Sequence, residues 1–120
     1  MDYDHNNVFA RILRGELPCN KVFEDEHVLA FRDISPQAPT HILVIPKGEY
    51  VSFNDFSLKA SAAEVVALMR ALGRIARDLG AAETGYRILA NTGAAAHQEV
   101  PHFHFHLFAG RDLGGMLPRP

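Results

Sequence analysis

The chain has 120 residues, 48% of them hydrophobic and 22% charged, with a formal net charge of -2. That is one domain, 1–120, long enough for a proper core and ordinary in composition for a soluble globular protein. The weak negative charge excludes a nucleic-acid groove built on bulk positive charge, though not a nucleotide as a small ligand. Cys19 is the single cysteine, which excludes an internal disulfide and a thiolate cluster and points to a reducing compartment. The polar, acidic start M-D-Y-D-H-N-N is unlike a signal peptide, and no apolar run approaches the ~20 residues of a membrane span. The expectation is a cytoplasmic protein with no membrane segment and no nucleic-acid partner.

Residues 1–6 read as a frayed tail. Val8, Phe9, Ile12 and Leu13 have helical spacing, and Gly15 with Pro18 ends that short helix. Residues 21–24 and 28–33 read as two strands joined by a turn at Asp25, Glu26 and His27. The two prolines of 35–39 make a loop. Asp33 stands just before it, where a carboxylate serves either to cap the turn or to accept hydrogen bonds from a sugar diol. Residues 41–46, H-I-L-V-I-P, are continuously apolar and predict a central strand opened by His41.

Residues 47–59 read as a polar loop. Ser61-Ala-Ala-Glu64 is a capping box that starts a long helix with an apolar stripe through Val65, Leu68, Met69, Leu72, Ile75, Ala76 and Leu79. Arg70, Arg74 and Arg77 lie opposite as a solvated face, and Gly80 is a suitable stop. Residues 85–90 are a further strand, and the small residues of 91–99 form a loop whose N–H groups suit an oxyanion. Residues 112–120 have no packing period and predict an extended tail. The tally is an α+β domain with a five-stranded, mainly antiparallel sheet, one short helix and one long helix.

Chemistry concentrates in residues 101–111, P-H-F-H-F-H-L-F-A-G-R. His102, His104 and His106 alternate with Phe103, Phe105 and Leu107, so on a strand the three imidazoles share one face and the apolar residues pack behind them. A single histidine there is an ordinary boundary residue; three in strict alternation point to a site. One option is zinc, with His41 or Asp33 joining, although three rings spread along a line do not converge easily on one ion. The other is nucleophilic attack at phosphorus. A neutral imidazole attacks without a strong base, and neighbouring rings hold the phosphate and orient the nucleophile.

The pattern P-H-F-H-F-H-L-F resembles the signature of the histidine-triad (HIT) superfamily, and residues 23–47, containing D-I-S-P-Q-A-P-T-H, resemble its nucleotide-binding (Hint) branch. The resemblance implies a HIT-like fold and a homodimer whose sheets join into ten strands. It implies a purine nucleoside phosphoramidase or adenylate hydrolase acting on AMP or GMP conjugates through a nucleotidyl-histidine, with no cofactor and no metal. It gives His104 the part of nucleophile and His106 that of holding the phosphate oxygens, with His102 and His41 in support. Asp33 is matched to the ribose hydroxyls. Phe9, Ile12, Leu17, Phe31 and Ile34 are matched to the walls around the base, and Asn91 and Gln98 to the sugar–phosphate region. The chain departs from the branch at His97-Gln98-Glu99, where Gly-Gln followed by Ser or Thr is common. Glu99 is therefore expected to alter leaving-group preference or turnover. Asn7 and Ala10 stand where some bacterial relatives carry zinc-binding cysteines, so no structural zinc is expected. The alternatives are a dinucleoside polyphosphate hydrolase, a nucleotide-sensing scaffold and a metal-binding protein.

Overall fold

The computed structural model describes residues 2–118, so the first residue of the expected N-terminal tail and the last two of the C-terminal one lie outside the described residues. The elements run α1 (Val8–Leu13), β1 (Lys21–Glu24), β2 (Val28–Arg32), β3 (Thr40–Pro46), α2 (Phe53–Lys59), α3 (Ala62–Asp78), α4 (Ala81–Thr84), β4 (Arg87–Leu89) and β5 (Phe105–Ala109). A 3-10 turn covers Ala94–Ala96. The five strands form one antiparallel sheet in the order β1-β2-β3-β5-β4.

Local chemistry sets the boundaries. Asn7 caps α1 by accepting from the Ala10 N–H at 2.9 Å. Asp25 closes the β1–β2 turn by accepting from the N–H groups of His27 and Val28, both at 2.8 Å. Ser61 and Glu64 form the expected reciprocal capping box on α3.

Alternation along the strands separates two apolar layers. Val28, Ala30, Ile42, Val44, Leu107 and Ala109 face Leu68, Leu72 and Ile75 of α3. Leu29, Phe31, Leu43 and Ile45 face the other way, against Phe9 of α1. A helix of 17 residues covers the first face and one of 6 residues the second. The second face therefore has room for a site.

The sequence reading differs from the structure in four places, the last being the expected frayed tail, whose Tyr3, Asp4 and His5 are hydrogen-bonded to the rest of the protein. The polar loop expected over 47–59 contains α2, capped by a box of Ser52 and Asp55 and anchored by buried Phe56. The chain turns at Gly80 (φ 75°) and then makes the extra turn α4. The histidine strand begins at Phe105, so His102 and His104 precede the ladder. At the N-terminus, Tyr3 lies against the body of the protein, its hydroxyl 2.6 Å from Nδ1 of His102. At the other end the Arg87 guanidinium donates to the carbonyls of Leu113, Gly114 and Gly115, which holds the start of the C-terminal tail beside β4.

Replacing Ser61 with alanine removes one half of the α3 box and is expected to cost about 1 kcal/mol. Urea unfolding at neutral pH measures it as a lower midpoint at unchanged slope.

Candidate active site

His41, His104 and His106 lie on the face covered by α1. His106 stands opposite Leu43 and His41 opposite Phe108, which makes His41 and His106 diagonal neighbours across β3 and β5. His41 Nε2 lies 2.9 Å from His106 Nδ1. The His104 and His106 rings are 5.0 Å apart between centroids. Phe9 meets His104 edge to face at 5.0 Å, and Phe108 stacks parallel to His106 at 5.6 Å, so both rings are held by packing.

Hydrogen bonds, most of them to groups that do not titrate near neutrality, decide where each proton sits. The Gln37 backbone N–H donates to His41 Nδ1 at 3.1 Å, so neutral His41 carries its proton on Nε2 and donates it to His106 Nδ1. His106 in turn keeps its proton on Nε2. His104 Nδ1 donates to the His102 carbonyl at 2.7 Å, which leaves the lone pair on His104 Nε2. His102 Nε2 donates to the Pro46 carbonyl at 2.8 Å, and its Nδ1 accepts from Tyr3.

Burial keeps these imidazoles neutral. It pushes His102 down to about 4, helped by His104. It pushes His106 down to about 4 as well, with His104 and His41 adding to the effect. Burial also lowers His41, opposed by Asp33. It lowers His104, opposed by the bond to the His102 carbonyl and by the Asp33 and Glu99 carboxylates.

The histidines border a cavity of about 240 Å³. Phe9, Asp33, Asn91, Gln98, Glu99, His104 and His106 of the expected set line it. His41 stands behind His106, and His102 is fully buried behind His104. Asp33 both caps and faces the cavity: one carboxylate oxygen accepts from the Ser35 N–H at 2.8 Å, and the other lies 3.5 Å from His41 Nε2. Gln98 uses its amide on the loop, accepting from the Gly93 N–H at 3.1 Å and donating to the Val51 and Val100 carbonyls at 2.7 and 3.0 Å.

The remaining wall residues lie elsewhere. Ile12 lines a separate cleft with Leu13, Cys19 and Leu29. Phe31 is buried beneath Phe9. Leu17 is half-buried in the connection after α1. Ile34 is 97% exposed. Five residues that sequence reading did not single out for the site belong to it. Gln37, Leu43 and Val100 line the cavity, and Tyr3 bonds to His102. Of these only Gln37 had a local signal, its place in the proline loop just before His41. His97 also lines the cavity, in the left-handed conformation (φ 58°) where glycine is at ease.

Asp33, His41 and His106 place ligand-type atoms within 4.8 Å of one another. A cation there needs a lone pair on His41 Nε2, whereas the Gln37 N–H commits the His41 lone pair to Nδ1. The cluster is arranged to hold a proton between two rings.

A neutral, tautomer-locked histidine cluster on one face of an antiparallel sheet defines the class of site, and comparison with known proteins gives the family. The HIT domain matches residues 14–113. A 13.2 kDa HIT-like protein of Azospirillum brasilense is 67% identical over 98% of this chain and 96% of its own length. The purine nucleoside phosphoramidase of Escherichia coli K12 is 46% identical over 92% of each chain. The structure of a HIT family hydrolase from Clostridium thermocellum superposes with a TM-score of 0.87 at 40% identity, covering 96% of this chain and 99% of that one. The chain belongs to the HIT family. Among the described residues no helix is long and apolar enough to cross a membrane.

Histidines held neutral make the fold acid-sensitive. Below the unfolded value of 6.5 the unfolded chain takes up protons that buried His102 refuses until about 4, so stability falls as pH falls through that window. His102 alone is expected to remove about 2 kcal/mol between neutral pH and roughly pH 5. Urea unfolding at the two pH values measures the loss, and a His102→Gln variant is expected to show a flatter dependence.

Proposed function

We propose that this protein is a purine nucleoside phosphoramidase that works through a covalent nucleotidyl-histidine and releases a nucleoside monophosphate. The observation that carries the reading is the proton arrangement: a lone pair on His104 Nε2 beside an N–H on His106 Nε2, both rings lining one cavity. The activity named for the Escherichia coli relative supports it.

In the first step His104 Nε2 attacks the α-phosphorus. The P–N bond breaks with its electron pair on nitrogen, and the amine takes a proton from solvent at the open side of the cavity. His106 Nε2–H donates to a phosphate oxygen as charge builds there. The substituted His104 is an imidazolium whose Nδ1–H still points at the His102 carbonyl. Asp33 and Glu99, which favour positive charge on His104 at rest, favour this intermediate too. In the second step water attacks phosphorus, Nε2 leaves with its electron pair, and the water's proton passes to solvent. Glu99 thus acts on the intermediate and on turnover.

The Asp33 oxygen not engaged by the Ser35 N–H suits a ribose diol, and the edge of Phe9 suits a purine. Among the described residues no lysine or arginine lines the cavity. This favours a single phosphoryl centre over the polyphosphate chain of a dinucleoside polyphosphate. We further propose a homodimer through β4, which among the described residues pairs only with β5 and exposes Tyr86 and Ile88 beside its open edge. Lone Cys19 supports a reducing, cytoplasmic setting.

Intact-protein mass after brief incubation with adenosine 5′-phosphoramidate tests the mechanism. A His106→Ala variant is expected to carry one added adenylyl group, and a His104→Ala variant none and no turnover. Turnover by the His104→Ala variant at the parent rate overturns the assignment.

A further inference from the structure

The carbonyl that orients His104 belongs to residue 102, which precedes the β5 ladder. Three contacts hold that residue: the Phe103 N–H donating to the Tyr50 carbonyl at 2.8 Å, His102 Nε2 donating to the Pro46 carbonyl, and the Tyr3 hydroxyl on His102 Nδ1. The first two come from the body of the domain. The third comes from a residue that lies before the family match begins at residue 14.

We propose that Tyr3 is a positioning residue for the reaction: by donating to His102 Nδ1 it holds the His102 ring and carbonyl in the place that keeps the His104 Nε2 lone pair on the substrate side. The proposal rests on the reading of His104 as nucleophile.

The geometry of both partners supports this. The Tyr3–His102 bond is 2.6 Å and joins residues 99 apart in the chain. The Tyr3 ring also meets the His102 ring edge to face at 5.6 Å. His102 is 0% exposed, so its Nδ1 lone pair has no access to bulk water. With Tyr3 on one side and the Pro46 carbonyl on the other, a single neutral tautomer satisfies both nitrogens. The opposite tautomer sets the Nε2 lone pair against the carbonyl oxygen. Burial pushes the Tyr3 hydroxyl above its ordinary value, so it stays protonated and remains a donor.

The segment bearing Tyr3 is itself fastened. The Asp4 carbonyl accepts from the backbone and side-chain N–H groups of Asn7 at 3.2 and 2.8 Å, and the His5 carbonyl accepts from Arg14 at 2.7 Å. Asn7 also caps α1, whose Phe9 packs on His104. Tyr3 and Phe9 thus approach the two neighbouring histidines as one unit.

The test uses the full-length Tyr3→Phe variant, which keeps the ring and removes the hydroxyl. Two readouts are needed: steady-state kinetics on adenosine 5′-phosphoramidate, and ¹⁵N resonances of the histidine rings. The expected result is a kcat about tenfold lower at unchanged KM, as for loss of one buried hydrogen bond that orients a catalytic group. The His102 Nδ1 resonance is expected to move away from the hydrogen-bonded position while the backbone amide spectrum stays that of a folded protein. A parental kcat, or an unmoved His102 Nδ1 resonance, overturns the proposal. If the parent hydrolyses no phosphoramidate, the reading of the function fails. The resonance then decides alone whether Tyr3 holds His102.

Discussion

The site depends on one hydrogen bond, the 2.7 Å contact from His104 Nδ1 to the carbonyl of His102. A carbonyl cannot titrate, so it settles which nitrogen carries the proton of the neutral ring. A carboxylate in that place would also orient the ring, but it would raise the imidazole towards its charged and non-nucleophilic form. The same device recurs at the Pro46 carbonyl and the Gln37 N–H, so the cluster is wired mainly to backbone. The exceptions are the bond from His41 to His106 and the Tyr3 hydroxyl, a neutral donor near neutral pH.

The electrostatics follow from the layers of the fold. The long helix α3 seals one face of the sheet, while the short α1 covers only part of the other, leaving an opening of about 240 Å³ over the histidines. Burial keeps the rings neutral at rest. Asp33 and Glu99 then favour positive charge on His104. The cavity is thus suited to a histidine that starts neutral and becomes cationic once substituted at Nε2.

Much of this was legible in sequence, for identifiable reasons. The continuous apolar run after His41 marked β3, and Ser61 with Glu64 marked the start of α3, because both signals are local. The same box chemistry at Ser52 and Asp55 opens α2, but in a stretch of polar residues its single buried anchor, Phe56, did not stand out. Alternation placed His104 and His106 together but extended the strand too far, because period-two patterning does not reveal where ladder pairing begins. The parts contributed by Tyr3, the Gln37 N–H and the Pro46 carbonyl depend on tertiary contact. Phe31 shows the limit of matching by resemblance, since it is an apolar neighbour of the site that supports Phe9 from beneath without lining the cavity.

The most direct measurement of the central claim is long-range ¹H–¹⁵N correlation of the histidine side chains at neutral pH. The arrangement described here predicts four neutral rings, with the proton on Nδ1 of His104 and on Nε2 of His41, His102 and His106. A His104 ring that is protonated on both nitrogens, or that carries its proton on Nε2, would contradict it.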